Sequence, residues 1–158
     1  MANRSKASRP KMKEYGIKPE EEGGLLPWSF VSEAMAAARN YWLATTRPDG
    51  GPHVAPVWGL WNEDCFFFST GASSMKAGNL AADPRAVLHL ESGDEVVILN
   101  GRTAAEEDQD LLKELDQRYQ TKYAVSLLGG RVYRLELTEA LAWREAEFPT
   151  TATRWDFD

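Results

Sequence analysis

The sequence predicts a mainly β domain with short helices, in which six or seven antiparallel strands curl into a barrel. Two observations carry this. Segments rich in aromatic and β-branched residues follow one another through tight turns, at Pro48 to Gly51, Asn62 to Asp64 and Ser92 to Asp94, as hairpin-linked strands do. Helical periodicity is confined to three short stretches, so the chain lacks the regular strand-helix alternation of a parallel sheet. A length of 158 residues, 43% hydrophobic with six tryptophans, is enough for one packed core without disulfides or structural metal.

Residues 1–26 read as a flexible tail, basic and then acidic, and residues 27–158 as the domain. The tail carries Arg4, Lys6, Arg9, Lys11, Lys13 and Lys18, followed at once by Glu20, Glu21 and Glu22. A solvated segment is the plain expectation; a cationic arm over an anionic ligand is the alternative. After Pro27, Ser29 is placed to cap a helix reaching Arg39 with an apolar stripe of Phe30, Ala34, Ala37 and Ala38. YWLATT, PHVAPVWGLW and CFFFST then read as three strands. Gly71 interrupts the pattern, and a short helix follows, capped by Ser73 or Ser74 and ended by Pro84. Strands are expected from Ala86 to Glu91 and from Glu95 to Asn100, with a bend at Gly101 before RTAAE continues. Leu111, Leu112, Leu115 and Tyr119 recur at helical spacing. RVYRLELT, ALAWRE and ATRWDF complete the set, the last alternating Thr153, Trp155 and Phe157 against Arg154 and Asp156.

A net charge of −6 argues against a general nucleic-acid binder. No apolar run is long enough to span a bilayer and no signal peptide is evident, which predicts a cytoplasmic protein without membrane attachment. The single cysteine, Cys65, rules out an intrachain disulfide and a Cys-rich metal site and reads as a buried strand residue. Phosphate-loop and dinucleotide glycine signatures are missing, as are a nucleophile elbow and a histidine metal motif around His53 or His89. No catalytic side chain and no metal ligand is predicted.

Two local features carry chemistry. Pro56 and Gly59 interrupt a strand, as an edge, a bulge or a flat ligand against the backbone would require. Ser69 and Thr70 end a strand, Ser73 and Ser74 begin a helix, and Lys76 lies in its first turn. Hydroxyls, free amides and one ammonium thus converge as in a phosphate site. Asn79, one turn on, either adds a hydrogen bond or faces solvent.

The segments LATTRPDGGPHVAPVW and FFFSTGASSMKAGNLAADPR, and more weakly ALAWREAEFPTTATRWDF, resemble the pyridoxamine 5′-phosphate oxidase-like split barrels that bind FMN, particularly the branch using the deazaflavin F420. The resemblance implies a homodimer with each cofactor at the subunit interface. His53, Val54, Ala55, Pro56, Val57 and Trp58 would run beside the ring system. Ser69, Thr70, Ser73, Ser74 and Lys76 would hold the phosphate, with Asn79 secondary, and Trp143 and Arg154 would close the cleft onto the partner's cofactor. It implies hydride transfer from F420 to a small conjugated or aromatic acceptor. An FMN reductase or oxidase, or a non-catalytic flavin or tetrapyrrole binder, are the alternatives. The C-terminal stretch lacks the His-containing substrate motif of true pyridoxamine-phosphate oxidases, and Met75 replaces the Arg of many relatives.

Overall fold

The computed structural model describes residues 3–158. Among them, eight strands form one antiparallel sheet: β1 (Tyr41–Thr46), β2 (Pro52–Val57), β3 (Leu60–Asn62), β4 (Cys65–Thr70), β5 (Arg85–His89), β6 (Glu95–Ala105), β7 (Arg131–Arg144) and β8 (Thr153–Asp156). Four helices accompany them, α1 (Trp28–Ala37), α2 (Met75–Ala82), α3 (Gln109–Tyr123) and α4 (Phe148–Thr151). The strand order is β2-β1-β5-β6-β7-β4-β3, with β8 added on β7. β2 and β3 thus occupy opposite ends of the path, yet only Trp58 and Gly59 separate them in the chain. That connection requires the sheet to curl until its two ends meet, which is the geometry of a split barrel.

Several boundaries differ from expectation for physical reasons. The long strand over Pro52 to Trp61 breaks in two because Gly59 is the corner. A Cβ there would lie 2.2 Å from Phe66 Cζ and 2.6 Å from the Phe67 carbonyl oxygen, a space only hydrogen fits. Pro56 is tolerated because β2 is an edge strand, paired only with β1. RVYRLELT and ALAWRE are one continuous strand, β7. β6 runs straight through Gly101, with its pairing to β7 shifted between Asn100 and Gly101. Pro27, not Ser29, precedes the first turn of α1, and no side chain caps it. That helix stops at Ala37, where Ala38 turns to extended backbone.

The barrel interior is filled by Tyr41, Leu43, Phe66, Phe68, Leu88, Leu99, Leu135 and Trp155, closed at one end by Val31 and Met35 of α1. A second apolar cluster joins α3 to the outside of the barrel: Leu112, Leu115, Tyr119 and Tyr123 pack on Leu60, Phe67, Leu127 and Val132. Asp108 caps α3 by accepting from the Asp110 and Leu111 amides.

The expectation of a free N-terminal tail needs correcting. β8 is paired with β7 on one side only, so its other edge would expose unpaired amides. Residues 4–8 cover that edge: Ser5 N–H donates to the Asp156 carbonyl (2.8 Å), and Ser8 and Arg154 exchange backbone bonds (2.9 and 2.8 Å). Arg9 is buried, its guanidinium donating to the carbonyls of Glu21 (2.6 Å), Gly23, Thr150 (2.5 Å) and Ala152 (2.9 Å). Gly24, at φ 85°, lies so close to Thr150 that a Cβ would meet its Cγ2 at 2.5 Å. The first turns of the chain are thereby strapped to the C-terminal strand.

Candidate functional site

A groove of about 360 Å³ opens where β2 ends, lined by Asn40, Pro56, Val57, Trp58, Ser69, Thr70, Lys76 and Tyr119. Six of these were singled out from the sequence. β2 supplies Pro56 and Val57, the corner supplies Trp58, the end of β4 supplies Ser69 and Thr70, and α2 supplies Lys76. The convergence has a local cause. β4 must stop at Thr70 and the chain reverse into α2, and Ser74 caps that helix by accepting the Ala77 N–H (3.1 Å) while sharing a 2.8 Å hydrogen bond with Thr70 Oγ1. The Met75 and Lys76 amides are the first of α2 and have no partner within the helix. The end of β4 and the start of α2 thus bring Ser69, Thr70 and Lys76 to one groove beside the positive end of a helix dipole.

Electrostatics favour an anion. The lining contains Lys76 and no carboxylate. Lys76 makes no ion pair among the described residues. Trp58 provides a flat wall: its ring stacks on Tyr123 at 4.7 Å and 11°, its Nε1 donates to Asn40 Oδ1 at 3.2 Å, and 40% of it remains exposed.

The remaining expected residues fall elsewhere. His53, Val54 and Ala55 lie upstream on β2, outside the lining; His53 Nδ1 is buried without a hydrogen-bond partner. Ser73 is exposed, one residue before the cap. Asn79 turns inward, 2% exposed, and donates to Thr45 Oγ1 at 3.0 Å; it fastens α2 to β1 and neither faces solvent nor lines the groove. Trp143 stands on β7 against Phe148, with ring centroids 5.3 Å apart. Arg154, on β8, bonds Glu139 (3.0 Å) and Asp156 (2.6 Å). Neither lines the groove of its own subunit. The basic arm does not line it either: Arg4 pairs with Asp64 and lies over Trp28, Lys6 faces Glu22, and Lys18 faces Glu21.

Asn40 and Tyr119 escaped the sequence reading. Tyr119 belongs to the stripe that packs α3 on the barrel, and periodicity alone does not tell a core residue from one at the lip of a cleft. Burial pushes the Tyr119 hydroxyl up to about 12, with Tyr123 adding to the effect, so it stays a neutral donor.

A larger cleft, about 870 Å³, lies by the β3–β4 turn and the N-terminus of α3. Glu63, Asp64, Glu106, Asp108, Glu136 and Asp158 line it against Arg102 and Arg134. Arg134 is already spent on Glu136 (2.6 Å) and Glu106 (3.4 Å). Volume favours this cleft, but charge does not suit a phosphorylated ligand, so the smaller groove is the better candidate. Cys65, on its rim, donates to the Leu135 carbonyl (3.3 Å) and is pushed up to about 12, mainly by burial. It remains an inert thiol.

Comparison with solved structures places this architecture in a known class. A conserved hypothetical protein from Mycobacterium tuberculosis superposes with a TM-score of 0.69 at 22% identity, covering 80% of this chain and 90% of that one. An F420 reductase gives 0.56 at 18% identity, with 69% and 94% covered. The heme storage protein HutZ from Vibrio cholerae gives 0.57 at 17% identity, with 68% and 87% covered. At these identities the likeness establishes the fold, a split barrel. Among curated proteins none matches the sequence significantly. Residues 30–144 match the family model described as pyridoxamine 5′-phosphate oxidase, and the chain belongs to that family, which includes oxidoreductases. Among the described residues no helix is long and apolar enough to cross a membrane.

Proposed function

We propose that this chain is a deazaflavin-dependent oxidoreductase that passes hydride to a small conjugated or aromatic acceptor. The observation that carries this reading is the convergence of the α2 N-terminus, Lys76, Ser69 and Thr70 with the Trp58 wall on one groove free of carboxylates. The groove has the donor set a phosphorylated tricyclic cofactor requires: cationic and N–H donors at one end, an indole plane at the other. Lys76 and the Met75 and Lys76 amides would hold the phosphate, and Ser69 and Thr70 would donate to it. Bound there, a flavin or deazaflavin supplies the hydride chemistry. The protein's own part is to orient the ring on Trp58, exclude water with Tyr119 and Val57, and place no acid where it would oppose the anion. A second copy of the chain would bring Trp143 and Arg154 over the open side.

FMN in place of F420 is the second reading, since the phosphate cradle serves both. Fluorescence titrations with FMN and with F420, each repeated with Lys76→Ala, test both. We expect binding of F420 that weakens about 10- to 100-fold in the variant, the size of a lost charge-assisted contact. Preference for FMN would move the assignment to a flavin enzyme, and binding of neither would refute the groove as a cofactor site. A Soret band on hemin titration, abolished by His53→Ala, would point instead to tetrapyrrole binding through the unpartnered His53 nitrogen.

A further inference from the structure

Behind the groove lies a cluster that the cofactor reading leaves unused. Lys122, in the last turn of α3, points under the β2–β3 corner. Its Nζ donates to the Gly59 carbonyl at 3.1 Å and to Tyr41 Oη at 2.9 Å. Tyr41 in turn donates to the Met35 carbonyl at 2.7 Å, the end of α1. The neighbouring Tyr123 Oη accepts the Gly59 N–H at 3.1 Å and donates to the Arg39 carbonyl at 2.7 Å. Both backbone groups of Gly59 are thus held by side chains of α3. The residue before Gly59 is Trp58, whose ring stacks on Tyr123 and forms the flat wall of the groove.

We propose that Lys122 is a positioning residue for the groove: its ammonium, held between Tyr41 and Gly59, fixes the Trp58–Gly59 corner and thereby the indole plane against which a ligand ring lies. The part of this inference that concerns a ligand rests on the reading of the groove as a cofactor site; the part that concerns Trp58 does not.

The device is sensitive to pH. Burial, and then the charges of Arg39 and Arg118, lower Lys122 to about 8. The groups facing it are Tyr41 from β1, Arg39 from the segment after α1, Arg118 and Tyr123 from α3, and only the backbone of Gly59 from the corner. No carboxylate pairs with it among the described residues. Near pH 8 the charged donor becomes a neutral amine and its hydrogen bond to the Gly59 carbonyl weakens, leaving that carbonyl to Tyr123 Oη, 3.0 Å away, so the corner loosens.

Trp58 is exposed enough to report this. The test is acrylamide quenching of tryptophan emission from pH 6.5 to 9.5 in the ligand-free protein, comparing the unmodified chain with Lys122→Met, Lys122→Arg and Trp58→Phe. The Trp58 contribution, taken as the difference from Trp58→Phe, should become more quenchable with a midpoint near pH 8. Lys122→Met should abolish the step, and Lys122→Arg, which stays charged throughout, should hold the low-pH signal across the range. A flat Trp58 signal in the unmodified protein, or an unchanged step in Lys122→Met, would overturn the proposal. Should Lys122→Met fail to fold by circular dichroism, the Lys122→Arg profile decides it: a step still present at pH 8 refutes the role of Lys122. The ligand arm measures FMN affinity at pH 7 and 9, where a drop of about 5-fold is expected in the unmodified chain alone. A lysine-dependent quenching step with no FMN or F420 binding at any pH would refute the groove and leave the corner device standing.

Discussion

Truncating Arg9 tests the strap most directly. Arg9 is only 8% exposed, and its guanidinium satisfies four backbone carbonyls drawn from two distant segments. Of these contacts the one to Ala152 is fully buried, and the other three lie partly within reach of water. In Arg9→Ala, water replaces most of the partly buried bonds, while the Ala152 carbonyl is stranded at about 1–3 kcal/mol. The space left by the side chain adds to this, for a total of about 3 kcal/mol. In a chain of this length that corresponds to roughly 6–12 °C in Tm, read by thermal circular dichroism and checked by urea unfolding. Lys6→Ala is the control, because its pair with Glu22 is long (3.5 Å) and both partners are largely exposed, so it should stay within about 0.5 kcal/mol of the parent. If Arg9→Ala melts within about 2 °C of the parent, or no lower than Lys6→Ala, the strap contributes nothing and the segment is a tail after all.

Gly59→Ala places a methyl group against Phe66 and the Phe67 carbonyl and should cost at least about 3 kcal/mol or prevent soluble expression, seen as loss of the folding transition. Asn79→Ala removes the buried bond to Thr45 and should cost about 1–3 kcal/mol in urea unfolding, with FMN or F420 affinity unchanged within about 2-fold because the amide does not line the groove. Lys122 also gives a signed pH dependence of stability. Its folded value, about 8, lies below the ordinary 10.5, so between these the unfolded chain binds more protons and stability rises with pH. The penalty for burying the charge is fully present below pH 8 and relieved above it. Unfolding free energies at pH 7.5 and 10 should show that rise relative to Lys122→Met, and a constant difference between the two proteins would contradict the burial of the ammonium.

Strand alternation and turn chemistry made the barrel legible, and the clustering of Ser69, Thr70 and Lys76 at one end of the groove could be read because it is local: Ser69 to Lys76 is a single strand-to-helix reversal. What the sequence concealed was long-range. Nothing near Arg9 announces the carbonyls of Thr150 and Ala152, because backbone acceptors carry no residue signature. The polar composition of residues 1–26 suggested a solvated tail, and only the free edge of β8 explains why residues 4–8 lie along it. Asn79, one turn after Lys76, read either as a further hydrogen bond to a ligand or as a solvent-facing residue, yet its place around α2 aims it at Thr45. Lys122 drew no reading from the sequence at all, and only the fold brings it under a corner 63 residues earlier.

The meeting of β2 and β3 at Trp58 and Gly59 has a consequence for how occupancy and folding are linked. The groove draws its walls from β2 at one end of the strand order and from β4, next to the other end. A molecule bound there would span the seam of the barrel and act as its clasp. Amides flanking the seam should exchange with solvent fastest in the empty protein and slow most on loading, while the β6–β7 ladder on the far side stays protected in both states.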